Sequence, residues 1–114
     1  MKPQFPKGQL FIVAFAVRPL PGDPLFGEIQ WQTLNVWLVA SDPESATTAA
    51  REIVGRLTVE LCTQKCQCTP GSDWRGLQPQ AVQFDITHRG YCLSASSAPI
   101  GSNEPDFEKL FEPL

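Results

Sequence analysis

Charge is scarce in this chain. Lysine and arginine number 9, aspartate and glutamate 12, together 18% of 114 residues, with a formal net charge of −3. No run of Lys or Arg occurs, so the basic patch that neutralises phosphates is absent from the linear sequence, and nucleic-acid binding is not expected. Only folding could gather Arg51, Arg56, Arg75 and Arg89 onto one face. No apolar run reaches the roughly 18 residues that a membrane helix needs, so no membrane partner is expected. No glycine-rich loop opens the one well-patterned helix, which argues against a phosphate cradle. Paired catalytic carboxylates and internal repeats are also missing. Histidine occurs once, at His88.

Enough is present for a core. Hydrophobic residues make up 42% of the chain, which together with the low charge argues against wholesale disorder. The length suits a single α+β domain spanning 1–114. The 11 prolines gather at the ends and in loops and predict irregular segments there. Residues 1–8 read as loose. Lys2 and Lys7 precede the short apolar run Leu10-Phe11-Ile12-Val13, and Ala14-Phe15-Ala16 has the small-x-small form of a cleavage site. The run is too short for a signal peptide, so it reads as a strand and the expected compartment is the cytoplasm.

The stretch from Trp31 to Leu61 carries the fold class. It reads as a strand, a capped helix and a second strand. Asp42 is placed to cap, Pro43 suits the first helical position, and Glu44 faces the positive end of the dipole. Ala46, Ala49, Ala50, Ile53, Val54 and Leu57 then recur at three- and four-residue steps, an apolar stripe facing a core. Glu44, Thr48, Arg51 and Glu52 fall off it. Gly55 marks a stop near 55–56.

Around this unit the chain predicts a buried strand over 9–18, a loop over 19–30 packed through Leu25, Phe26 and Ile29, and a strand over 31–40. A third strand runs from Thr58 to about Cys62, and 64–80 reads as a long turn or extended hairpin. Alternation of Val82, Phe84 and Ile86 with Gln83, Asp85 and Thr87 predicts a fourth strand over 81–87. Tyr91 to Leu93 reads as a short fifth strand and about 94–114 as irregular. Asp106 to Phe111 is expected to make a helical turn or two, docking through Phe107, Leu110 and Phe111. The expected architecture is a two-layer α+β sandwich of order β-β-α-β-β. It has one main crossover helix (about 43–56), a mixed four- to five-stranded sheet and a ferredoxin-like-related layout. The crossover rule makes the strands on either side of the helix parallel.

One helix cannot cover such a sheet on both sides. Leu34, Val36, Leu38 and Ala40 share the face toward it. Trp31, Thr33, Asn35, Trp37 and Val39 share the other face, and its tryptophans need burial. A homodimer is the expected solution, with the loop 19–30 or the C-terminal segment as the alternative cover.

The cysteines are the sharpest chemical feature. Cys62, Cys66 and Cys68 form C-x3-C-x-C, and Cys92 follows His88 in H-x3-C. Cys66, Cys68, His88 and Cys92 make a candidate zinc set by ligand chemistry, although neither half matches a standard knuckle. Buried inert thiols are the preferred reading, and disulfides are the third. His88 could activate a thiol, but no nucleophile signature surrounds it. Trp74 beside Arg75, in a Gly/Pro loop, is a candidate partner contact or a loop anchor. The favoured function is a non-enzymatic binding or interaction module acting as a homodimer, using Trp31, Asn35, Trp37, Trp74 and Arg75, with no cofactor. The alternatives are a small-ligand enzyme with His88 or Asp85 as proton carrier, and a zinc-stabilised module.

Overall fold

A computed structural model describes residues 8–71 and 80–111. Five strands form one sheet. β1 (Gln9–Pro19) and β2 (Ile29–Ala40) are an antiparallel pair at its centre, with Val13 opposite Val36 and Ile12 opposite Trp37. Helix α1 (Pro43–Gly55) follows. Next, β3 (Val59–Leu61) and β4 (Gln67–Pro70) both pair antiparallel with β1, along the same edge. Helix α2 (Gln80–Arg89) then leads into β5 (Tyr91–Pro99), which pairs antiparallel with β2 and forms the opposite edge. Because β2 and β3 each run against β1, they share a direction across α1, the parallel relation expected on either side of the helix.

The described elements run β-β-α-β-β-α-β, and the two central strands are hairpin partners. This does not confirm a ferredoxin-like layout, whose chain order is β-α-β-β-α-β. No helix among the described residues is long and apolar enough to cross a membrane, which says nothing of a β-barrel.

The first half follows its sequence signals closely. Asp42 Oδ1 accepts from the Ser45 amide at 2.7 Å, so α1 starts at Pro43. Its small stripe lets it lie close on the sheet. Ala46, Ala50 and Val54 are buried against Phe11, Val13, Phe15 and Val17 of β1 and Leu34, Val36 and Leu38 of β2. This is the main core.

The second half departs from expectation. Residues 81–87 are helix, not strand. Val82, Phe84 and Ile86 satisfy a period of two, but a short apolar run also fits a helix, so local spacing alone does not choose. Exposure decides it. Ile86 is 0% exposed and Phe84 60%, although a strand would put both on one face. Gly90, at φ +88°, ends α2 with its amide on the Ile86 carbonyl at 3.1 Å, a conformation a side chain would oppose. β5 runs on to Pro99, through Ser94-Ala95-Ser96-Ser97, where a loop was expected. Pairing with β2 overrides the weak strand preference of serine and alanine. β4 falls within the stretch that reads as a long turn or extended hairpin, but it pairs with β1. Leu25 and Phe26 do not pack the loop 19–30. They remain 39% and 54% exposed, and the loop is shaped by backbone turns and by Asp23 Oδ1 accepting from the Leu25 amide at 2.7 Å.

The strand edges differ. Leu61 pairs with Val17 and Gln67 with Ala14, so three steps along β1 match six on the β3–β4 edge. The excess forms a bulge in the edge, and Arg51 pins it by donating to the Gln64 carbonyl at 2.8 Å and the Cys66 sulfur at 3.4 Å. β5 is uninterrupted by comparison.

Candidate functional site

The sheet has two faces, because odd and even strand positions point oppositely, and the one away from α1 is covered only at its ends. On the face away from α1, cross-strand pairing stacks residues in rows. Ile12, Trp37 and Cys92 form one row, Ala14, Asn35 and Ser94 the next, and Ala16, Thr33 and Ser96 the third. Trp31 lies beyond, opposite Ala98.

Helix α2 covers one end. Ile86, Leu10 and Cys92 make a second buried cluster, with Trp37 and Val39 packed on it. The Trp37 indole donates to the Ser94 hydroxyl at 2.9 Å. The C-terminal segment covers the other end. Phe107 meets Trp31 edge-on, and the Arg18 guanidinium lies 5.2 Å from the Phe107 ring centre. Arg18 also bonds the Glu104 carboxylate at 2.9 Å. Gln30 clasps the preceding turn, donating to the Ser102 carbonyl at 2.8 Å and accepting from the Gly101 amide at 2.9 Å. Lys65 donates to the Glu108 carbonyl at 2.7 Å. Segments 106–109 and 107–110 close as single turns.

Between these covers lies a strip of small and uncharged side chains. Ala14, Thr33 and Asn35 are half-buried, and Ser94 and Ser96 are exposed. Among the described residues, no side-chain hydrogen bond uses the Asn35 amide or the Thr33 hydroxyl. The Trp31 Nε1–H, at one end of the strip, is buried with no acceptor. An unmet buried donor costs about 1–3 kcal/mol and calls for an explanation.

The structure therefore puts Trp31, Asn35 and Trp37 on one face, as their alternation implies. It separates them along that face: each tryptophan is sheltered and Asn35 lies in the open strip. Thr33 and the β5 serines belong beside Asn35. Alternation could have marked Thr33, whereas Ser94 and Ser96 required the pairing of β5. Trp74 and Arg75 lie outside the described residues.

The cysteine candidates are not brought together. Cys66 and Cys68 pack against the α1-side core, whereas Cys92 is buried beneath α2 on the opposite face. His88 sits at the end of α2, stacked on Phe84 with ring centres 4.0 Å apart, its Nδ1 2.9 Å from the Phe84 carbonyl. The sheet stands between the two halves of the proposed zinc set. No group of three metal-ligating side chains is assembled among the described residues. All four cysteines are free thiols. Burial first, then the negative charge and hydrogen bond of Asp85, push the Cys92 thiol above its ordinary range, with Arg89 opposing. Burial also raises Cys62, against the pull of Arg18. Both are held protonated, the reverse of what a nucleophile needs.

Comparison with known proteins finds no matching family model, no matching curated protein and no matching solved structure.

Proposed function

We propose that the chain is a non-enzymatic binding module acting as a homodimer, with the strip between Trp37 and Trp31 as its binding surface. The observation that carries this reading is the buried, unmet N–H of Trp31 at one end of the strip whose middle holds the half-buried Asn35 amide. Stable packing normally leaves no such donor without a partner. A bound group with a hydrogen-bond acceptor supplies one once the Phe107 cover moves aside.

The ligand class follows from the lining. Alanine, threonine, asparagine and serine offer hydroxyl and amide groups and no charge. A charged ligand would lose its hydration there without gaining an opposite charge. The strip suits a neutral ligand rich in carbonyl or hydroxyl acceptors, and the raised thiols and remote His88 support binding over catalysis. Four free thiols fit a reducing compartment, in keeping with a cytoplasmic setting.

The test is an NMR screen with neutral amide and polyol fragments, following indole and side-chain amide signals. Ligands should shift the Trp31 indole and the Asn35 amide first, and Asn35→Ala should weaken them about tenfold, the loss of one good hydrogen bond. Fragments that leave both signals still, or that map to other surfaces, would defeat the reading.

A further inference from the structure

Among the described residues, β5 forms a strand edge with no charge within it, Arg89 standing over the Tyr91 ring just before its start. Its nine residues, Tyr91–Pro99, contain no charge, and the only proline is the last of them. Among the described residues nothing pairs with its outer side. Natural edges of this length are normally blunted by charge, proline or a bulge. The opposite edge is blunted in that way, by the three-residue excess between β3 and β4.

We infer that a second copy of this chain pairs antiparallel along β5, about a two-fold axis normal to the sheet near Ala95. This goes beyond dimerisation as such by assigning the interface, and its consequence for ligand binding rests on the function proposed above.

Two observations select a second copy as the occupant. First, the strand suits itself: small uncharged residues, Ser94 to Ser97, occupy its middle and are all exposed, so two copies approach without like charges meeting. Second, exposed apolar side chains flank both of its ends. At the Pro99 end, Phe26 bridges Ile29, Ile29 pairs with Pro99, and Ile100 follows. Phe26 and Ile100 are 54% and 60% exposed. At the Tyr91 end stands the exposed Phe84–His88 stack of α2. Antiparallel pairing about Ala95 lays the Ile100 end of one copy beside the Gly90 end of the other, where each apolar group finds cover. Such an axis would keep like faces together, with both α1 helices on one side and both α2 helices on the other.

The strips then join. Ser94 falls opposite the second copy's Ser96, on the same face. The row Ala14, Asn35, Ser94 continues into the second copy's Ser96, Thr33 and Ala16. The neutral ligand surface becomes one band across both copies, twice the length that either offers alone.

Light scattering on the full chain, across a dilution series, reads the result. The dimer mass is expected. Ala95→Lys, which sets like charges against each other at the axis on an exposed side chain, should halve it with unchanged circular dichroism. Ala95→Cys should form a disulfide-linked dimer under mild oxidation, whereas Glu52→Cys, on the exposed side of α1, should not. A monomer at every concentration overturns the inference. So does a dimer that Ala95→Lys leaves intact, or an Ala95→Cys chain that cross-links no better than the unmodified one. A monomer whose Trp31 and Asn35 signals still respond to neutral fragments overturns the pairing alone and leaves the binding reading standing. A β5-paired dimer without such a response does the opposite.

Discussion

Phe107 stands edge-on to Trp31, with ring centres 5.1 Å apart and planes at 84°. This pair ties the C-terminal segment to the sheet and shuts water away from the Trp31 indole. Phe107→Ala should destabilise the protein by about 1–2 kcal/mol, less than a fully buried phenylalanine, because the ring is only half-buried. Tryptophan emission should shift to the red, and the segment after Pro99 should become the first site of proteolysis. Unchanged emission and melting would show that the pair does not hold the segment.

Ile86 and Phe84 offer a direct test of α2. Ile86 is sealed against Leu10 and Cys92, whereas Phe84 faces outward. Ile86→Ala should cost about 2–5 kcal/mol in urea unfolding. Phe84→Ala should stay within about 0.5 kcal/mol for the monomeric chain. Equal costs would restore the strand reading of 81–87.

Alkaline pH should weaken the fold through Cys62 and Cys92. Both thiols lie above their ordinary range, with burial as the leading cause. The folded chain keeps these protons where the unfolded chain has released them, so stability falls as pH rises. The contribution is complete below the unfolded thiol value of about 8.5 and is lost as pH climbs through the higher folded values. The urea midpoint should drop over that window, and Cys92→Ala should flatten the slope whatever it does to stability at neutral pH.

Acid should act through Glu104. Its hydrogen bond to Arg18, the main cause, lowers its pKa. The folded carboxylate therefore binds protons less readily than the unfolded one. Its stabilisation is present above the unfolded value of about 4.3 and disappears as pH falls through the folded one. The pair is solvent-facing, so the effect should be small and weakened by salt. Glu104→Gln should remove the acid-limb difference in C-terminal proteolysis. An unchanged limb would show that the pair does not anchor the segment.

Legibility tracks locality. The cap at Asp42, the stop at Gly55 and the alanine stripe of α1 are all settled within a turn or two of helix, where residue chemistry acts directly on nearby backbone. The central strands were legible because a continuous apolar run and a clean alternation each mark burial. Residues 81–87 were not, because seven residues with an apolar residue at every second place satisfy two periods at once. Ser94 to Ser97 carried no strand signal, since the reason they are extended lies on β2. The candidate face was half legible: Trp31, Asn35 and Trp37 could be grouped, but not the serines beside them or the covers at either end.

By itself, the sequence determined that a small-faced, well-capped helix must lie on a sheet of apolar strands, and that two tryptophans on the far side would need shelter. The tertiary structure alone decided that α2 shelters Trp37 and Phe107 shelters Trp31, and that Cys66 and Cys68 are parted from Cys92 by the sheet. Among the described residues, it alone left the outer side of β5 unpaired. Those outcomes depend on which segments meet across the chain. Contacts of that kind come from closing long loops around a shared core, and neighbouring residues carry no record of them.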